Sequence, residues 1–232
     1  MTGTIQVNTY TTGVQDEPAL SVGADSTFVV AWRSAGSGDT DHSGTSIQSR
    51  RFSSSGSPGP QFQVNAVTTG SQENPDVAVA AEGRFLLVWD GPSTGSDLDR
   101  SIQGRLFGPN LLPLTGDFQI NSVTAGEQSE PAVVARTDGS FLVVWRSSAG
   151  VWARVVEADG TPARGEQQVN TTATDLYFDP SVATSHEGHF VVTWDTEDDY
   201  DYGGYRRARL FEELGSSIFG DGFESGDTSA WE

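Results

Sequence analysis

One pattern occurs four times in tandem along this 232-residue chain. Each copy opens with Gln-Val-Asn or Gln-Ile-Asn, carries a proline ten residues after the asparagine, and carries a tryptophan 24 residues after it. The opening asparagines are Asn8, Asn65, Asn121 and Asn170, and the tryptophans are Trp32, Trp89, Trp145 and Trp194. Successive tryptophans are 57, 56 and 49 residues apart, so the length varies only after the tryptophan. The exposed loops are therefore expected there.

Each copy contains four short strand patterns. The opening triplet is expected to lie in a first strand, and the segment after the proline alternates in polarity, as a second strand does. A two- to four-residue polar turn leads to an apolar run such as 28–32, and a fourth pattern such as 47–52 ends the copy. Four strands in about 50 residues, repeated in tandem, are typical of β-propeller blades. We therefore expect an all-β, propeller-like fold of four four-stranded blades, closed by the N-terminal strand or left open for assembly.

The repeats suggest a simple division of the chain. Residues 1–215 are expected to form one propeller-like domain, and residues 216–232 a separate tail. The predicted repeats cover about 4–61, 62–117, 118–166 and 167–215.

The repeat resembles a group of tandem repeats in secreted or surface bacterial proteins. The resemblance lies in Gln-Val-Asn, Asp-Gly-x-Phe-Val-Val-x-Trp and Ile-x-x-Arg-x-Phe, and it covers residues 4 to about 211. It implies propeller blades of adhesin-like proteins, placed outside the cell or on its surface, many without an assigned activity. The tail, with Gly-Phe-Glu-Ser-Gly-Asp, resembles a C-terminal ending of exported bacterial proteins and also the first strand of jelly-roll carbohydrate-binding modules. It is expected to be a sorting or docking element, or the start of a further domain.

Composition excludes several partners and chemistries. The chain has 13 basic and 32 acidic residues, a net charge of −19 that repels phosphate backbones, so nucleic acid is not expected as a partner. All the basic residues are arginine and there is no cysteine, which removes lysine and thiolate nucleophiles. Apolar runs reach only five residues, so membrane insertion is not expected. The N-terminus lacks the pattern of an export signal.

Closely spaced acidic residues follow the tryptophan in three repeats. Alternating aspartates and a serine can present several hard oxygens on one side of a tight loop, as Ca²⁺ requires. The predicted calcium ligands are Asp39, Asp41, Ser43, Asp97, Asp99, Ser101, Asp199 and Asp201. No glutamate follows at the twelfth position, so these are not EF-hands, and solvated acidic turns are the alternative interpretation.

Aromatic side chains suggest a second kind of site. The four repeat tryptophans end apolar strands and are expected to be buried between blades. Other aromatics lie in or near acidic loops, where a ring can stack on a sugar while carboxylates accept its hydroxyl hydrogen bonds. The predicted ligand-binding residues are Trp152, Tyr200, Tyr202 and Tyr205.

Charged residues also recur at equivalent positions. Each fourth strand pattern contains an arginine that is expected to pair with a carboxylate and join neighbouring blades. These arginines are Arg50, Arg105, Arg154 and Arg209. The residue after the tryptophan alternates in sign, which predicts ion pairs between blades; the positions are Arg33, Asp90, Arg146 and Asp195.

The favoured interpretation is a non-enzymatic extracellular module for binding or adhesion. It would recognise a glycan or a surface protein through the loops after each tryptophan, with calcium as a possible organiser and no other cofactor. One alternative is a subunit that self-associates through an unpaired edge strand into a surface layer or fibre. The other is a propeller glycosidase, although no spacing among the 32 acidic residues singles out a catalytic pair.

Overall fold

The protein consists of four antiparallel β-sheets. The computed structural model describes residues 3–36, 41, 43–92, 100–163, 165–171, 176–185, 188–197 and 204–211. These residues form fifteen strands, and every strand pairing is antiparallel. No helix that could cross a membrane occurs among them. The all-β prediction is confirmed.

In each sheet, strands that are consecutive in the chain are neighbours. Sheet 1 contains β1 (Gln15–Val22), β2 (Phe28–Ala35), β3 (Thr45–Phe52) and β4 (Pro58–Gln63). Sheet 2 contains β5 (Glu73–Val79), β6 (Phe85–Pro92), β7 (Arg100–Phe107) and β8 (Phe118–Gln119). Sheet 3 contains β9 (Gln128–Ala135), β10 (Phe141–Ser147), β11 (Gly150–Val156) and β12 (Gln167–Gln168). Sheet 4 contains β13 (Leu176–Thr184), β14 (Phe190–Glu197) and β15 (Gly204–Phe211).

The sheets follow one another around a common centre. The first strands contact each other in chain order, β1 with β5, β5 with β9, and β9 with β13. The ring is not closed. Sheet 4 has three strands in the described part of the chain, and residues 6–8 at the N-terminus belong to none of the sheets. The prediction of four strands therefore holds for three of the four sheets.

The opening triplet of a repeat lies in a different place from the one expected. Gln63, Gln119 and Gln168 end β4, β8 and β12, so each triplet forms the outer edge of the preceding sheet. The polar stretch after the asparagine then carries the chain to the first strand of the next sheet. Each sheet is thus tied to its neighbour by the covalent chain as well as by packing.

The core lies between adjacent sheets. Three clusters of buried apolar side chains fill the spaces between sheets 1 and 2, 2 and 3, and 3 and 4. The predicted burial of the repeat tryptophans is confirmed, because none of the four is more than 4% exposed. Trp145 Nε1 donates to Gln128 Oε1 at 3.0 Å, and Trp32 Nε1 donates to Gln15 Oε1 at 3.1 Å. Tyr177 occupies the glutamine position of the fourth repeat, and Trp194 Nε1 is buried without an acceptor among the described residues.

The repeat asparagine extends the hydrogen-bond ladder of a sheet beyond its outer strand. Asn121 Oδ1 accepts from Ile102 N at 2.8 Å, and Asn121 Nδ2 donates to Val123 O at 2.9 Å. Ile47 N and Val151 N are the equivalent donors to Asn65 and Asn170. One side chain thus satisfies two backbone groups that the turning chain would leave unpaired.

Replacing Asn121 with alanine should lower the free energy of unfolding by about 1–3 kcal/mol, because the buried Ile102 N–H loses its acceptor. Chemical denaturation of the purified protein measures this value. Asn110→Ala is the matched control, since Asn110 accepts from Leu112 N in an exposed turn. Equal losses for both variants would contradict the role given to Asn121.

The recurrent arginines join neighbouring sheets, but through a different acceptor from the one predicted. Arg105 Nη1 donates to Val64 O at 2.8 Å, and Arg154 Nη1 donates to Ile120 O at 2.6 Å. Arg209 donates in the same way to Val169 O. In each case the hydrogen-bond acceptor is the backbone carbonyl of the opening triplet, which lies on the preceding sheet. Arg105 also forms an ion pair with a carboxylate, since its Nη1 lies 3.6 Å from Asp117 Oδ1.

Each first strand contains one residue with a strained backbone, at the point where its pairing register shifts. The residue before the repeat proline has a positive φ in all four repeats, between 47° and 55°. These residues are Glu17, Asn74, Glu130 and Asp179. A left-handed conformation costs a non-glycine residue about 1–2 kcal/mol, so packing and hydrogen bonds must hold it in place. The bonds that do so lie at the centre of the molecule.

Candidate active site

The four first strands surround one central cavity of about 290 Å³. Its wall is formed by the residue with positive φ and the following proline from each repeat. The residue after that proline also contributes in the second and third repeats. The lining residues are Glu17, Pro18, Asn74, Pro75, Asp76, Glu130, Pro131, Ala132, Asp179 and Pro180. Equivalent positions of four sheets thus converge on one place.

Carboxylates bind the strained backbone of neighbouring strands. Glu17 Oε2 accepts from Asn74 N, and Glu130 Oε2 accepts from Asp179 N, both at 2.8 Å. Asp90 Oδ2 makes the middle link by accepting from Glu130 N at 2.9 Å. Each pair of adjacent sheets is therefore connected at the cavity wall by a charged hydrogen bond, which is stronger than a neutral one.

Arg33 connects sheets 1 and 2 at the rim. Its guanidinium lies 2.7 Å from Asp16 Oδ2 and 3.1 Å from both Glu17 Oε1 and Glu73 Oε1. The hydrogen bond from Arg33 lowers the pKa of Asp16. Glu73 belongs to sheet 2, so Arg33 does join two sheets, but its partner is not Asp90, the residue of opposite sign after the next tryptophan. Asp90 pairs instead with Arg100 of its own sheet.

Two further arginines continue the ion-pair network. Arg100 pairs with the buried Asp90, and its Nη1 lies 2.7 Å from Glu73 Oε2. Burial raises the pKa of Asp90, while the bonds from Arg100 oppose that change. Arg146 Nη1 lies 3.1 Å from Glu130 Oε1, and its guanidinium lies 4.8 Å from the centre of the Phe178 ring. The network holds the cavity wall in one conformation.

Asp76 is held by backbone N–H groups on both carboxylate oxygens. Its two oxygens accept from Val133 N and Val77 N, each at 2.8 Å, and no arginine pairs with it among the described residues. Burial raises its pKa to about 6, from an ordinary value of 3.8. The other repeats carry Ala19, Ala132 and Ser181 at this position, so the acid belongs to the second repeat alone.

The Asp76 carboxyl signal in a ¹³C NMR titration should have a midpoint near pH 6, and the Asp76→Asn spectrum identifies that signal. Because the folded state holds this proton more tightly than the unfolded state, the group's contribution to stability falls as pH rises from about 4 to about 6. A midpoint near 3.8 would contradict the raised pKa.

Asp179 lines the same cavity, but its carboxylate is solvated whereas that of Asp76 is buried. It is exposed, and no described residue hydrogen-bonds to its carboxylate, although its backbone N–H is held by Glu130. One acid that keeps its proton to about pH 6 and one solvated carboxylate face the same space. A pair of carboxyl groups, one buried and one solvated, is the usual acid and base of glycoside hydrolysis.

Comparison with solved structures defines the fold class. The sheets superpose on β-propeller glycosidases, although the ring of this chain is open. An α-L-arabinofuranosidase from Fusarium graminearum has a TM-score of 0.62 at 10% identity, covering 88% of this chain and 64% of that one. A GH43 endo-arabinanase from Bacillus licheniformis has a TM-score of 0.52 at 9% identity, covering 86% and 72%. At these identities the likeness establishes the fold.

A protein of unknown function from Dyadobacter fermentans is also similar, with a TM-score of 0.64 at 10% identity. That alignment covers 88% of this chain and 62% of the other, so the chain spans less than two thirds of that protein's length. No family model matches the sequence, and no curated protein matches it.

The interpretation as a non-enzymatic adhesion module is contradicted, because the similar structures include α-L-arabinofuranosidases and arabinanases. The sequence interpretation gave most weight to the loops after the tryptophans, where length varies. The structure brings the first strands together, and the distinctive carboxyl groups lie there.

The predicted calcium ligands are only partly within the described residues. Asp41 is 1% exposed and accepts from Ser43 N at 3.1 Å and Asn65 Nδ2 at 3.1 Å, so it is not a solvated turn residue. Ser101 is buried in β7, where its hydroxyl accepts from Gln103. Asp39, Asp97, Asp99, Asp199 and Asp201 lie outside the described residues. No cluster of metal-ligating side chains occurs in the described part, and calcium binding stays a prediction.

Of the predicted sugar-stacking residues, only Trp152 has a described side chain. Trp152 is partly buried and packs against the core between sheets 2 and 3, and its indole N–H has no acceptor among the described residues. Tyr205 lies in β15, and its side chain is not described. Tyr200 and Tyr202 lie outside the described residues.

Sequence reasoning overlooked Asp76, although a charged residue where other copies have alanine or serine was a visible signal.

Proposed function

We propose that the four sheets are blades of a β-propeller and that the chain hydrolyses glycosidic bonds in the central cavity. The observation that carries the proposal is the pair of unlike carboxyl groups there, Asp76 with its pKa raised to about 6 and the solvated Asp179. The propeller fold supports it, because the similar structures include several glycosidases.

Asp76 is the proton donor in this proposal. Its proton passes to the glycosidic oxygen as the bond from that oxygen to the anomeric carbon breaks, so the leaving sugar departs as an alcohol. Asp179 either takes a proton from the attacking water or attacks the anomeric carbon itself, and the separation of the two groups on the bound sugar decides which. Water supplies the hydrogen and the hydroxyl of the products in both cases.

The network of arginines and glutamates has a supporting role. Glu17 and Glu130 use one oxygen on an arginine and the other on a neighbouring backbone N–H. They fix the strands that carry the acid and the base, so little reorganisation is needed on substrate binding.

Arabinose-containing polysaccharides are the first substrates to test. The names of the similar enzymes specify α-L-arabinofuranosidase and arabinanase activities. We infer an extracellular or cell-surface location from the resemblance to secreted bacterial repeats, and such a location suits a polymeric substrate. The proposal requires no cofactor.

The purified chain is incubated with linear arabinan, branched arabinan and 4-nitrophenyl α-L-arabinofuranoside at pH 5 to 7, with calcium and with EGTA. Release of reducing sugar or nitrophenol supports the proposal. A chain with both Asp76→Asn and Asp179→Asn is the control for contaminating hydrolases. Equal release by wild type and control would contradict the proposal, and loss of activity in EGTA alone would support the calcium prediction.

A further inference from the structure

The N-terminal triplet Gln6–Asn8 has the geometry of an outer strand without its sheet. Arg50 Nη1 donates to Val7 O at 2.9 Å, as Arg105 Nη1 does to Val64 O at 2.8 Å. Asn8 Nδ2 donates to Tyr10 O at 2.8 Å, which repeats the bond from Asn121 to Val123. Relative to sheet 1, residues 6–8 therefore lie where the edge of a preceding sheet would end.

The groups that would pair with that sheet are open. In the later repeats the middle residue of the triplet donates its N–H to a carbonyl of the third strand, as Val64 N does to Ile47 O at 2.8 Å. No described residue accepts from Val7 N or donates to Asn8 Oδ1. The triplet is held in place but unpaired.

The face of sheet 1 beside the triplet is apolar and uncovered. Leu20 is 68% exposed, whereas Val77 and Val133 at the same repeat position are 3% and 5% exposed beneath the preceding sheet. Val22 on the same strand is 60% exposed. A groove of about 160 Å³ runs between the triplet and this face, and its lining includes Val7, Pro18, Val30 and Trp32.

Sheet 4 has an edge strand without an outer neighbour among the described residues and an exposed apolar residue, which complement the triplet and the apolar face of sheet 1. Strand β15 has no outer neighbour in the described part of the chain, whereas β3, β7 and β11 each have one. On its outward face Leu210 is 44% exposed, while Leu106 at the same repeat position is fully buried. Arg206, with a side chain 79% exposed, replaces the buried Ile47 of sheet 1.

We propose that two copies of the chain associate head to tail, with β15 of one copy pairing with residues 6–8 of the next and sheet 4 covering the apolar face of sheet 1. This contact continues the interface that joins successive sheets within the chain. It goes beyond the proposed function, because it does not involve the central cavity. Among the described residues, sheets 1 and 4 of the same chain do not pair with each other.

The interface is expected to be weak. Thr193 and Arg206 stand where Val88 and Ile102 are buried in the contact between sheets 2 and 3, so less apolar area is covered. Two copies, each with a net charge of −19, also repel each other, and added salt should screen this repulsion. A head-to-tail contact forms a closed ring only if the rotation between successive copies brings the last copy back to the first. Otherwise each dimer can add further copies, so higher oligomers form at high concentration.

The register of the new pairing follows from the existing sheets. Gln63 pairs with Gln48 and Gln119 with Gln103, and the same register places Gln6 opposite Arg207. Antiparallel partners have Cα atoms about 4.5–5.5 Å apart, a distance that a disulfide spans. The chain contains no cysteine, so an engineered pair has no competitor.

Chains with Gln6→Cys are mixed with chains with Arg207→Cys and oxidised, and the products are separated by mass. We expect more heterodimer than the two homodimers combined. Random collision alone would make the heterodimer and the combined homodimers in equal amounts. Asn110→Cys in place of Gln6→Cys is the control for an exposed but unpaired position. Absence of the excess would overturn the proposal.

Two further measurements separate the alternatives. The double variant Gln6→Cys, Arg207→Cys should give disulfide-linked multimers, and an exclusively intrachain disulfide would overturn the proposal in favour of ring closure. Sedimentation equilibrium should show association of the wild type that increases with protein and salt concentration. Leu20→Glu should weaken that association, and an unchanged constant would contradict the role of the apolar face.

Discussion

Replacing Asp76 with asparagine is expected to lower kcat/KM for glycoside hydrolysis by a factor of about 10² to 10⁴. Asparagine keeps the size of the side chain but has no proton to give to the leaving oxygen. Substrates with a good leaving group, such as 4-nitrophenyl glycosides, need this proton less. Their rates should fall by a smaller factor than those of arabinan, and steady-state kinetics with both substrates measure the difference.

Two controls separate chemistry from folding in this experiment. Asp76→Ala should fold, because the first and third repeats carry Ala19 and Ala132 at the same position. Asp159→Asn removes an acid from an exposed turn far along the chain from the cavity residues and should leave the rates unchanged. Equal loss of activity with both substrates, or none, would exclude Asp76 as the proton donor.

Replacing Trp145 with alanine is expected to lower the free energy of unfolding by about 3–5 kcal/mol. Its ring is fully buried in the core between sheets 2 and 3, and its indole N–H is paired with Gln128. The substitution leaves a cavity in that core and an unpaired buried amide oxygen. Chemical denaturation measures the loss.

Leu20→Ala is the matched control for Trp145→Ala, because Leu20 is apolar but 68% exposed. It should change the free energy of unfolding by at most about 0.5 kcal/mol at low protein concentration. A similar loss in both variants would show that burial between sheets does not determine stability here.

Much of the fold could be predicted from the repeat. Constant spacing of proline and tryptophan indicated four equivalent units, and apolar runs ending in tryptophan indicated strands buried on both sides. The position of the opening triplet could not be predicted, because a short β pattern does not specify which sheet it joins. The outer strands β8 and β12 each contain only two residues, and their place depends on asparagine and arginine bonds to another sheet.

The candidate site was harder to predict than the fold. Its residues come from separate repeats, and their spacing in sequence is that of the repeat itself. Burial raises the pKa of Asp76 against the opposing hydrogen bond from Val133 N, and Val133 lies 57 positions away in the chain. Among 32 acidic residues, only the packing of one sheet on another distinguishes this carboxyl group.

The pH dependence of kcat/KM, measured for wild type and Asp76→Asn on the same arabinan, tests the central claim most directly. The wild-type rate should fall above about pH 6 as the donor loses its proton, and the variant should lack this decrease. A wild type without activity on any arabinose-containing substrate, or a variant that keeps both the rate and the decrease, would contradict the assignment of glycoside hydrolysis to the central cavity.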